Sequence, residues 1–256
     1  MSRTLGLQKG VIYGPVDSRR LGRSLGINLS PVSYKICSFN CVYCHYGWTK
    51  YLKPDLSGYT DDLPSVQEVE QELEKTLRSL STSPEYITFS GNGEPTLHPD
   101  FGQVVDAVLE VKKRTGSGAR VAILSNSTAL ADEAVLRALG KLDVRIMKLD
   151  AGTDEVLKRI NRPARGITVD KIVGGLKRLG DVTLQSVFVD GEVCNTSDED
   201  VKAWLDGVEE VRPISMQIYS LENAPAMSTL VGVPIERLNQ IARRVNERIG
   251  LDAQTY

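Results

Sequence analysis

The sequence has few residues that could form disulfide bonds. Among 256 residues there are four cysteines and two histidines. Three of the cysteines, Cys37, Cys41 and Cys44, fall within eight residues, and the fourth, Cys194, stands alone. This crowding does not suit an even disulfide framework, so we expect free thiols and a reducing compartment.

The sequence also lacks a large charge excess and a long apolar segment. Its net charge is -2 at pH 7 and its pI is near 5.8, so electrostatics alone does not indicate a nucleic-acid partner. No segment approaches the length that spans a bilayer, and the N-terminus does not resemble a signal peptide. We therefore expect a cytoplasmic protein with no membrane partner.

Positive charge is nevertheless concentrated near the start of the chain. Residues 1–60 contain eight lysines and arginines but only two acidic residues, Asp17 and Asp55. We predict that Arg19, Arg20 and Arg23 bind an anionic part of a substrate. A solvated basic segment is the open alternative.

Beyond residue 33 the sequence alternates short β-branched runs with helical periodicity, which predicts a parallel sheet flanked by helices. The expected strands are residues 33–36, 86–89, 120–124, 144–149, 183–189 and 214–219. Ser65 and Glu68 form a capping box that begins one helix over residues 65–80, and another helix is expected over residues 129–139. A partial barrel and a doubly wound sheet both fit this α/β pattern, and both place ligands at the carboxyl ends of the strands.

The three clustered cysteines have the spacing of a metal site that is one protein ligand short. A structural zinc ion takes four protein ligands, and His45, which directly follows Cys44, could supply the fourth. A four-iron, four-sulfur cluster held by three thiolates would instead have one iron free to bind another molecule. The cysteines alone leave both possibilities open.

The spacing of Cys37, Cys41 and Cys44, with Tyr43 before the last cysteine, resembles the signature of the radical S-adenosylmethionine (SAM) superfamily. The resemblance implies one [4Fe-4S] cluster on these thiols, SAM on the fourth iron, and a 5'-deoxyadenosyl radical that abstracts hydrogen from a substrate. It also implies a partial (β/α)6 barrel of the TIM type. We accordingly expect a single radical SAM domain with an N-terminal extension over residues 1–32 and a barrel core over residues 33–250.

Polar runs after the predicted strands are similar to the SAM-binding motifs of this superfamily. Gly91, Asn92, Gly93 and Glu94 follow the second strand, with Asn92 where many members have glycine. The resemblance implies that the glycines admit a ligand to the backbone and that Glu94 meets the ammonium group of SAM. A plain turn is the alternative reading of this run.

Further cofactor contacts are expected at the next two strand ends. Ser125 and Asn126 resemble the run that surrounds the SAM carboxylate, although Ser127 could instead cap a helix. Lys148 and Asp150 occupy the position of a ribose-binding residue, or form an ion pair with each other.

Weaker candidates complete the predicted site. Arg162 could bind a carboxylate, and three polar residues on the last two strands could face the substrate: Gln185, Gln217 and Tyr219. A structural or exposed thiol is expected for Cys194, because one cysteine cannot hold a second cluster.

The run from Gly14 to Gly26 resembles compact iron-sulfur oxidoreductases related to the wyosine-forming tRNA enzymes. Those tRNA enzymes have cysteines for a second cluster, and no cysteine precedes Cys37 here. Activases of glycyl-radical enzymes usually have an Asp-Leu-Lys order where this chain has Lys148-Leu149-Asp150. We therefore expect a radical SAM enzyme of unidentified substrate with an external electron donor such as flavodoxin or ferredoxin. An activase, a tRNA-modifying enzyme and a zinc-stapled binding module are the alternatives.

Overall fold

The computed structural model describes residues 4–256 and contains a mostly parallel central sheet. The strands are β1 (Ile12–Ser18), β2 (Gly22–Asn28), β3 (Ile36–Cys37), β4 (Tyr51–Leu52), β5 (Tyr86–Ser90), β6 (Arg120–Ser125), β7 (Val144–Lys148), β8 (Thr183–Val187), β9 (Val189–Gly191), β10 (Ser215–Tyr219), β11 (Leu230–Gly232) and β12 (Gln254–Thr255). The helices are α1 (Val66–Ser79), α2 (Phe101–Thr115), α3 (Glu133–Leu139), α4 (Asp154–Ile160), α5 (Val169–Leu179), α6 (Asp198–Val211) and α7 (Ile235–Ile249).

Eight strands form the main sheet in the order β1-β2-β5-β6-β7-β8-β10-β12. Only β1 runs antiparallel to its neighbour, and each later pair is parallel. The strands β2, β5, β6, β7, β8 and β10 are each followed by at least one helix, which gives six strand–helix units. The predicted α/β class is therefore confirmed.

The start of the sheet differs from the sequence prediction. The first parallel strand is β2, whereas the predicted strand at residues 33–36 is replaced by the two-residue strand β3, which pairs with β4 outside the main sheet. Residues 12–28, which were assigned from the sequence to an N-terminal extension, thus belong to the main sheet. Leu25 and Ile27 of β2 are fully buried, but Gly22, Ser24 and Gly26 give the strand a low β propensity, so its sequence did not predict it.

The two edges of the main sheet approach each other through side chains. The turn between β1 and β2 carries Arg20, whose guanidinium lies 4.4 Å from the ring centre of Tyr219 and 5.7 Å from that of Tyr256. Arg20 also pairs with Glu222, which follows β10. The antiparallel hairpin therefore meets the ends of β10 and β12 across a seam.

Buried side chains of the sheet and of the helices pack into one large hydrophobic core. The helix expected at residue 129 begins only at Glu133, because Asp132 accepts a hydrogen bond from Ala134 N and acts as its N-cap. Ser127 has a left-handed φ of 68° and caps no helix. Within residues 4–256, no helix has both the length and the apolar character needed to cross a membrane.

Candidate metal and cofactor site

The three clustered cysteines line one cavity at the carboxyl ends of the parallel strands. Thirteen of the predicted site residues line it: Cys37, Cys41, Tyr43, Cys44, Gly91, Asn92, Gly93, Glu94, Ser125, Asn126, Lys148, Gln185 and Tyr219. Parallel strands bring their carboxyl ends to one edge, so residues far apart in sequence meet there. The structure thereby unites the cysteine run with the polar residues that follow β5, β6 and β7.

The carboxyl end of α4 holds the cysteine loop in place. Val42 N donates to Ile160 O at 3.0 Å, and Asn40 N donates to Asn161 O at 2.9 Å. The last carbonyl groups of a helix have no partner within the helix, so they are free to accept these bonds. The loop between Cys37 and Cys44 is therefore anchored by backbone bonds from a distant part of the sequence.

Two asparagine side chains approach the cysteine sulfurs. Asn126 Nδ2 lies 3.6 Å from Cys37 Sγ, and Asn161 Nδ2 lies 3.5 Å from Cys41 Sγ. N–H groups directed at sulfur stabilise thiolates and tune the iron-sulfur clusters that thiolates hold. Without a metal, burial raises the pKa of Cys37 to about 11 and that of Cys41 to about 12. Metal binding must therefore displace thiol protons.

A lysine that the sequence reading did not single out as a site residue lies beside these thiols. Lys35 is 6% exposed, and its Nζ donates to Gly47 O at 2.8 Å. Burial opposes its charge, yet the nearby Cys44 and Cys37 raise its pKa above the usual value. The lysine thus supplies a buried positive charge next to the proposed ligands. Its position directly before β3 and two residues before Cys37 was the available signal.

Gly93 allows the cysteine strand to approach the turn after β5. A Cβ atom at this position would collide with the carbonyl oxygen of Ile36 and lie 2.6 Å from Ser30 Oγ. Gly91 has a φ of 121°, and a Cβ there would lie 2.5 Å from Asn28 Oδ1. Both glycines are required by the close approach of groups of the protein itself, whereas the sequence prediction was the close approach of a ligand.

The side chain of Asn92 serves the protein instead of a ligand. It is fully buried, its Oδ1 accepts from Gln8 N at 2.7 Å, and its Nδ2 donates to the carbonyl oxygens of Gln8 and Pro31. The side-chain amide of Asn92 therefore accepts from the N–H and donates to the C=O of Gln8, as the backbone of a neighbouring β-strand would. Asn92 N also donates to Asn28 Oδ1 at 3.0 Å, so only the carbonyl group of Asn92 is left for the predicted cofactor contact.

The carboxylate of Glu94 is held by four donors. Thr96 N, Thr96 Oγ1 and Ser125 Oγ donate to Oε1, and Asn126 N donates to Oε2 at 2.6 Å. Burial raises its pKa although these hydrogen bonds act in the opposite direction. Oε2 thus retains capacity for one further donor, such as an ammonium group.

The carboxylate of Asp150 bonds to the side chains of Lys148, Tyr43 and Asn161. Asp150 itself does not line the cavity. Its Oδ1 lies 3.0 Å from Lys148 Nζ, and its Oδ2 accepts from Tyr43 OH and from Asn161 Nδ2. Burial opposes the charge of Lys148, but Asp150 raises its pKa above the usual value. The ion pair considered from the sequence is therefore present, and it ties β7 to the cysteine loop.

The opposite wall carries hydrogen-bonding groups from β8 and β10. Gln185 Nε2 donates to Gln217 Oε1 at 2.9 Å, and Lys148 Nζ donates to Tyr219 OH at 2.9 Å. In residues 4–256, no hydrogen bond is formed by Oε1 of Gln185, which lines the cavity, or by Nε2 of Gln217, which lies outside the cavity lining. Leu124 and Ile146 add apolar surface, which the sequence reading did not assign because both are ordinary strand residues.

The predicted arginines do not themselves line the cavity, although Arg20 stacks on Tyr219, which does. Arg19 and Arg20 both pair with Glu222. Arg23 lies at the start of β2, at the opposite end of the strands, where its backbone N bonds to Glu85. Arg162 stacks on Trp48, with its guanidinium 4.9 Å from the ring centre. Spatial placement therefore does not support the expected role of these four residues in substrate binding.

His45 and Cys194 also lie outside the cavity lining. The ring of His45 contacts Asn223 at 3.5 Å, and burial lowers its pKa. The backbone of Cys194 accepts from Arg159 Nε. Among residues 4–256, no group of three His, Cys, Asp or Glu side chains is placed so that it could hold a single metal ion. The zinc arrangement with His45 as fourth ligand is not the arrangement observed.

The donor set fits the cluster and SAM that the sequence resemblance implies. Three thiols face one cavity, two asparagine N–H groups reach two of the sulfurs, and a buried lysine balances negative charge. Next to them, backbone of the Gly91–Gly93 turn and one oxygen of Glu94 remain accessible for a small polar molecule. Cys37, Cys41 and Cys44 would hold the cluster.

The chain is similar to several known proteins. It is 32% identical over 209 residues to UPF0026 protein slr1464 of Synechocystis, a match that covers 81% of this chain and 74% of that protein. It is 35% identical over 214 residues to a protein of Brachyspira hyodysenteriae named GTPase Obg, covering 82% of this chain. This chain spans only 29% of the length of the Brachyspira protein.

The fold is similar to that of a radical SAM methyltransferase from Sphaerobacter thermophilus, with a TM-score of 0.66 and 16% identity. That comparison covers 91% of this chain and 66% of the methyltransferase chain, and it supports the fold alone. The family model of the radical SAM superfamily matches residues 32–214, which is most of the chain. The chain therefore belongs to the radical SAM superfamily, whose members are enzymes that use a [4Fe-4S] cluster and S-adenosylmethionine, and within it groups with the UPF0026 proteins.

Proposed function

We propose that this protein cleaves SAM reductively and abstracts a hydrogen atom from a substrate bound in the same cavity. The observation that carries the proposal is that the three thiols, the Gly91–Glu94 turn and the polar wall of Lys148, Gln185 and Tyr219 face one space. When bound, the cluster and SAM supply a 5'-deoxyadenosyl radical by transfer of one electron and loss of methionine.

The protein's own residues would position the reacting molecules. Oε2 of Glu94 has room for the ammonium group of SAM, and the glycine turn leaves its backbone open to the methionine portion. Tyr43 is fixed by Asp150 and therefore holds the cysteine loop and β7 in one arrangement. Such fixed positioning is the main contribution that a protein makes to cofactor chemistry.

The substrate would occupy the side of the cavity that faces β6, β8 and β10. Leu124 and Ile146 offer apolar contact, and Gln185 Oε1 offers an acceptor, while Gln217 lies outside the cavity lining and holds Gln185 Nε2. Lys148 is held by Asp150 and Tyr219 and would orient a polar group. This combination suits a small or medium-sized molecule that has both apolar and hydrogen-bonding parts.

Anaerobic reconstitution tests the proposal. The protein should bind about four irons and four sulfides per chain and should form 5'-deoxyadenosine from SAM when dithionite is supplied. Cys41→Ala should lose both properties, whereas the matched variant Cys194→Ala should keep them, because Cys194 lies outside the cavity. Iron below one per chain together with stoichiometric zinc would contradict the proposal.

Isotope transfer tests the hydrogen abstraction itself. Deuterated metabolite extracts incubated with the reconstituted protein should yield deuterated 5'-deoxyadenosine from the fraction that contains the substrate. Gln185→Leu should reduce this transfer and leave iron content unchanged, since its side chain lines the substrate end of the cavity. If 5'-deoxyadenosine forms but carries no deuterium with any of the fractions, the proposed hydrogen abstraction is contradicted.

A further inference from the structure

A basic and aromatic surface covers the outside of the cysteine loop. It consists of exposed Trp48, Lys50, Leu52, Lys53 and Arg162 with the half-buried rings of Tyr34, Tyr51 and Tyr59, and is called the ribbon patch below. Strand β4 belongs to the patch, and its partner strand β3 carries Cys37. The patch is therefore directly behind one of the proposed cluster ligands.

The backbone connection between the ribbon patch and Cys37 is short. Leu52 is the β-sheet partner of Cys37, and Lys53 N donates to Cys37 O at 3.0 Å. Neighbouring strands lie about 5 Å apart. A molecule seated on Leu52 and Lys53 would thus be separated from Cys37 by a single strand.

The cations of the ribbon patch rest on aromatic rings. Lys50 Nζ lies 5.1 Å from the ring centre of Tyr51, Lys53 Nζ lies 5.6 Å from that of Tyr59, and Arg162 stacks on Trp48. Within residues 4–256, none of these three cations forms an ion pair with a carboxylate. Their charge therefore remains available to an anionic partner.

Exposed apolar side chains accompany these charges. Trp48 is 43% exposed and Leu52 is 39% exposed. Exposed apolar groups surrounded by charge mark interaction sites on protein surfaces. Three acidic residues follow the patch in sequence. Asp55 accepts hydrogen bonds from Ser57, and Asp61 and Asp62 belong to the Ser57–Asp62 turn, where Asp62 accepts a hydrogen bond from Tyr34 OH.

We infer that the ribbon patch is the docking site of an acidic one-electron carrier protein of the flavodoxin type. This inference rests on the proposed function, because reductive cleavage of SAM consumes one electron that the chain itself does not supply. In the step, the carrier loses one electron and the bound cluster gains it, and no bond forms or breaks. A carrier at the patch would deliver the electron through β4 and β3, away from the cavity that takes SAM and substrate.

RNA is the other polymer that a basic and aromatic surface could bind. The position of the patch favours the electron carrier, because it lies behind Cys37 and outside the cavity lining, where a base could not reach the proposed reaction centre. The rings are also occupied by the protein's own cations, which leaves them less open for stacking with bases.

Charge reversal tests the inference by direct binding. The holoenzyme variant Lys50→Glu/Lys53→Glu should bind flavodoxin about tenfold more weakly at low salt, and the difference should shrink as salt rises. The control variant Lys113→Glu/Lys202→Glu changes the net charge equally at two exposed helical lysines and should bind within about twofold of the parent. Lys50→Arg/Lys53→Arg should retain binding.

Activity measurements separate this inference from the proposed function. With dithionite, which needs no docking site, the reversed variant should form 5'-deoxyadenosine at the parental rate, whereas with reduced flavodoxin its rate should fall about tenfold. Unchanged flavodoxin binding in the reversed variant would overturn the inference, as would a loss of RNA binding that leaves flavodoxin binding intact. Failure of the parent protein to cleave SAM with dithionite would instead overturn the proposed function.

Discussion

At the scale of single residues, the candidate site depends on side chains that serve other side chains. Asn92, Glu94 and Asp150 each match a predicted cofactor contact, yet each makes several bonds within the protein. A buried polar group needs such partners, because an unpaired one costs free energy. The sequence motifs therefore predicted which residues belong to the candidate site, but not which of their atoms remain free for a ligand.

Gly93→Ala should displace the strand that carries Cys37 and lower the stability of the protein. The added Cβ would meet the carbonyl oxygen of Ile36, so the cysteine strand must move and the free energy of unfolding should fall by about 2–4 kcal/mol. Thermal unfolding and iron content after reconstitution would measure both effects.

Gly174→Ala is the matched control for Gly93→Ala. Gly174 lies within α5, and a Cβ there meets nothing within 4 Å. Alanine should leave stability unchanged or raise it by about 0.5–1 kcal/mol. Equal behaviour of the two variants would contradict the close approach at Gly93.

Asn92→Ala should loosen the N-terminal segment. The change removes three hydrogen bonds, two of them to Gln8, so we expect a loss of about 1–3 kcal/mol and faster hydrogen exchange over residues 4–11. Asn246→Ala, at an exposed position with one side-chain bond to Asp252, should cost less than about 0.5 kcal/mol. Unaltered exchange near Gln8 in the first variant would refute the role given to Asn92.

At the scale of elements, strong local signals fixed the helices better than the strands. The capping box of Ser65 and Glu68 is present as predicted, and α1 begins at Val66. Strand β2 was missed because its sequence has weak β propensity, and its burial depends on pairing with β5 and on the ring of Tyr13. The cysteine loop has little regular structure of its own and takes its shape from α4 and the β3–β4 pair.

Ser65→Ala should weaken α1 without affecting the site. Ser65 Oγ accepts from Glu68 N, and the Glu68 carboxylate accepts from Ser65 N, so loss of the hydroxyl should cost about 1 kcal/mol. Chemical denaturation would measure this cost, with Ser81→Ala as an exposed control outside the helix. Iron content should stay constant, and a change in it would show coupling between α1 and the cysteine loop.

At the scale of the whole molecule, the sheet is completed by contacts that cross its seam. The β1–β2 turn meets the ends of β10 and β12 through Arg20, Tyr219, Tyr256 and Glu222. These residues are distant in sequence, and the run from Gly14 to Gly26 that contains Arg20 did not reveal their contacts. Arg19 and Arg20, for which a substrate role was predicted, both form an ion pair with Glu222 in the structure.

Arg20→Ala should open the seam. The side chain of Arg20 is 19% exposed, so removing its ring contacts and its ion pair should cost about 1–2 kcal/mol and speed hydrogen exchange over residues 12–28. Arg19 pairs with the same glutamate but is 68% exposed, so Arg19→Ala should cost less than about 1 kcal/mol. Similar exchange in both variants would show that Arg20 does not hold the hairpin.

The sequence by itself determined the α/β class, the superfamily and the three thiols, because these depend on periodicity and on short spacings that a linear pattern preserves. Only the tertiary structure decided that β2 begins the parallel sheet, that Lys35 and Asn161 lie beside the thiols, and that the predicted arginines bind elsewhere. Those features arise where residues distant in the chain meet in three dimensions. Burial and hydrogen-bond partners at such meetings are set by the packing of the whole fold, and no local pattern of residues records them.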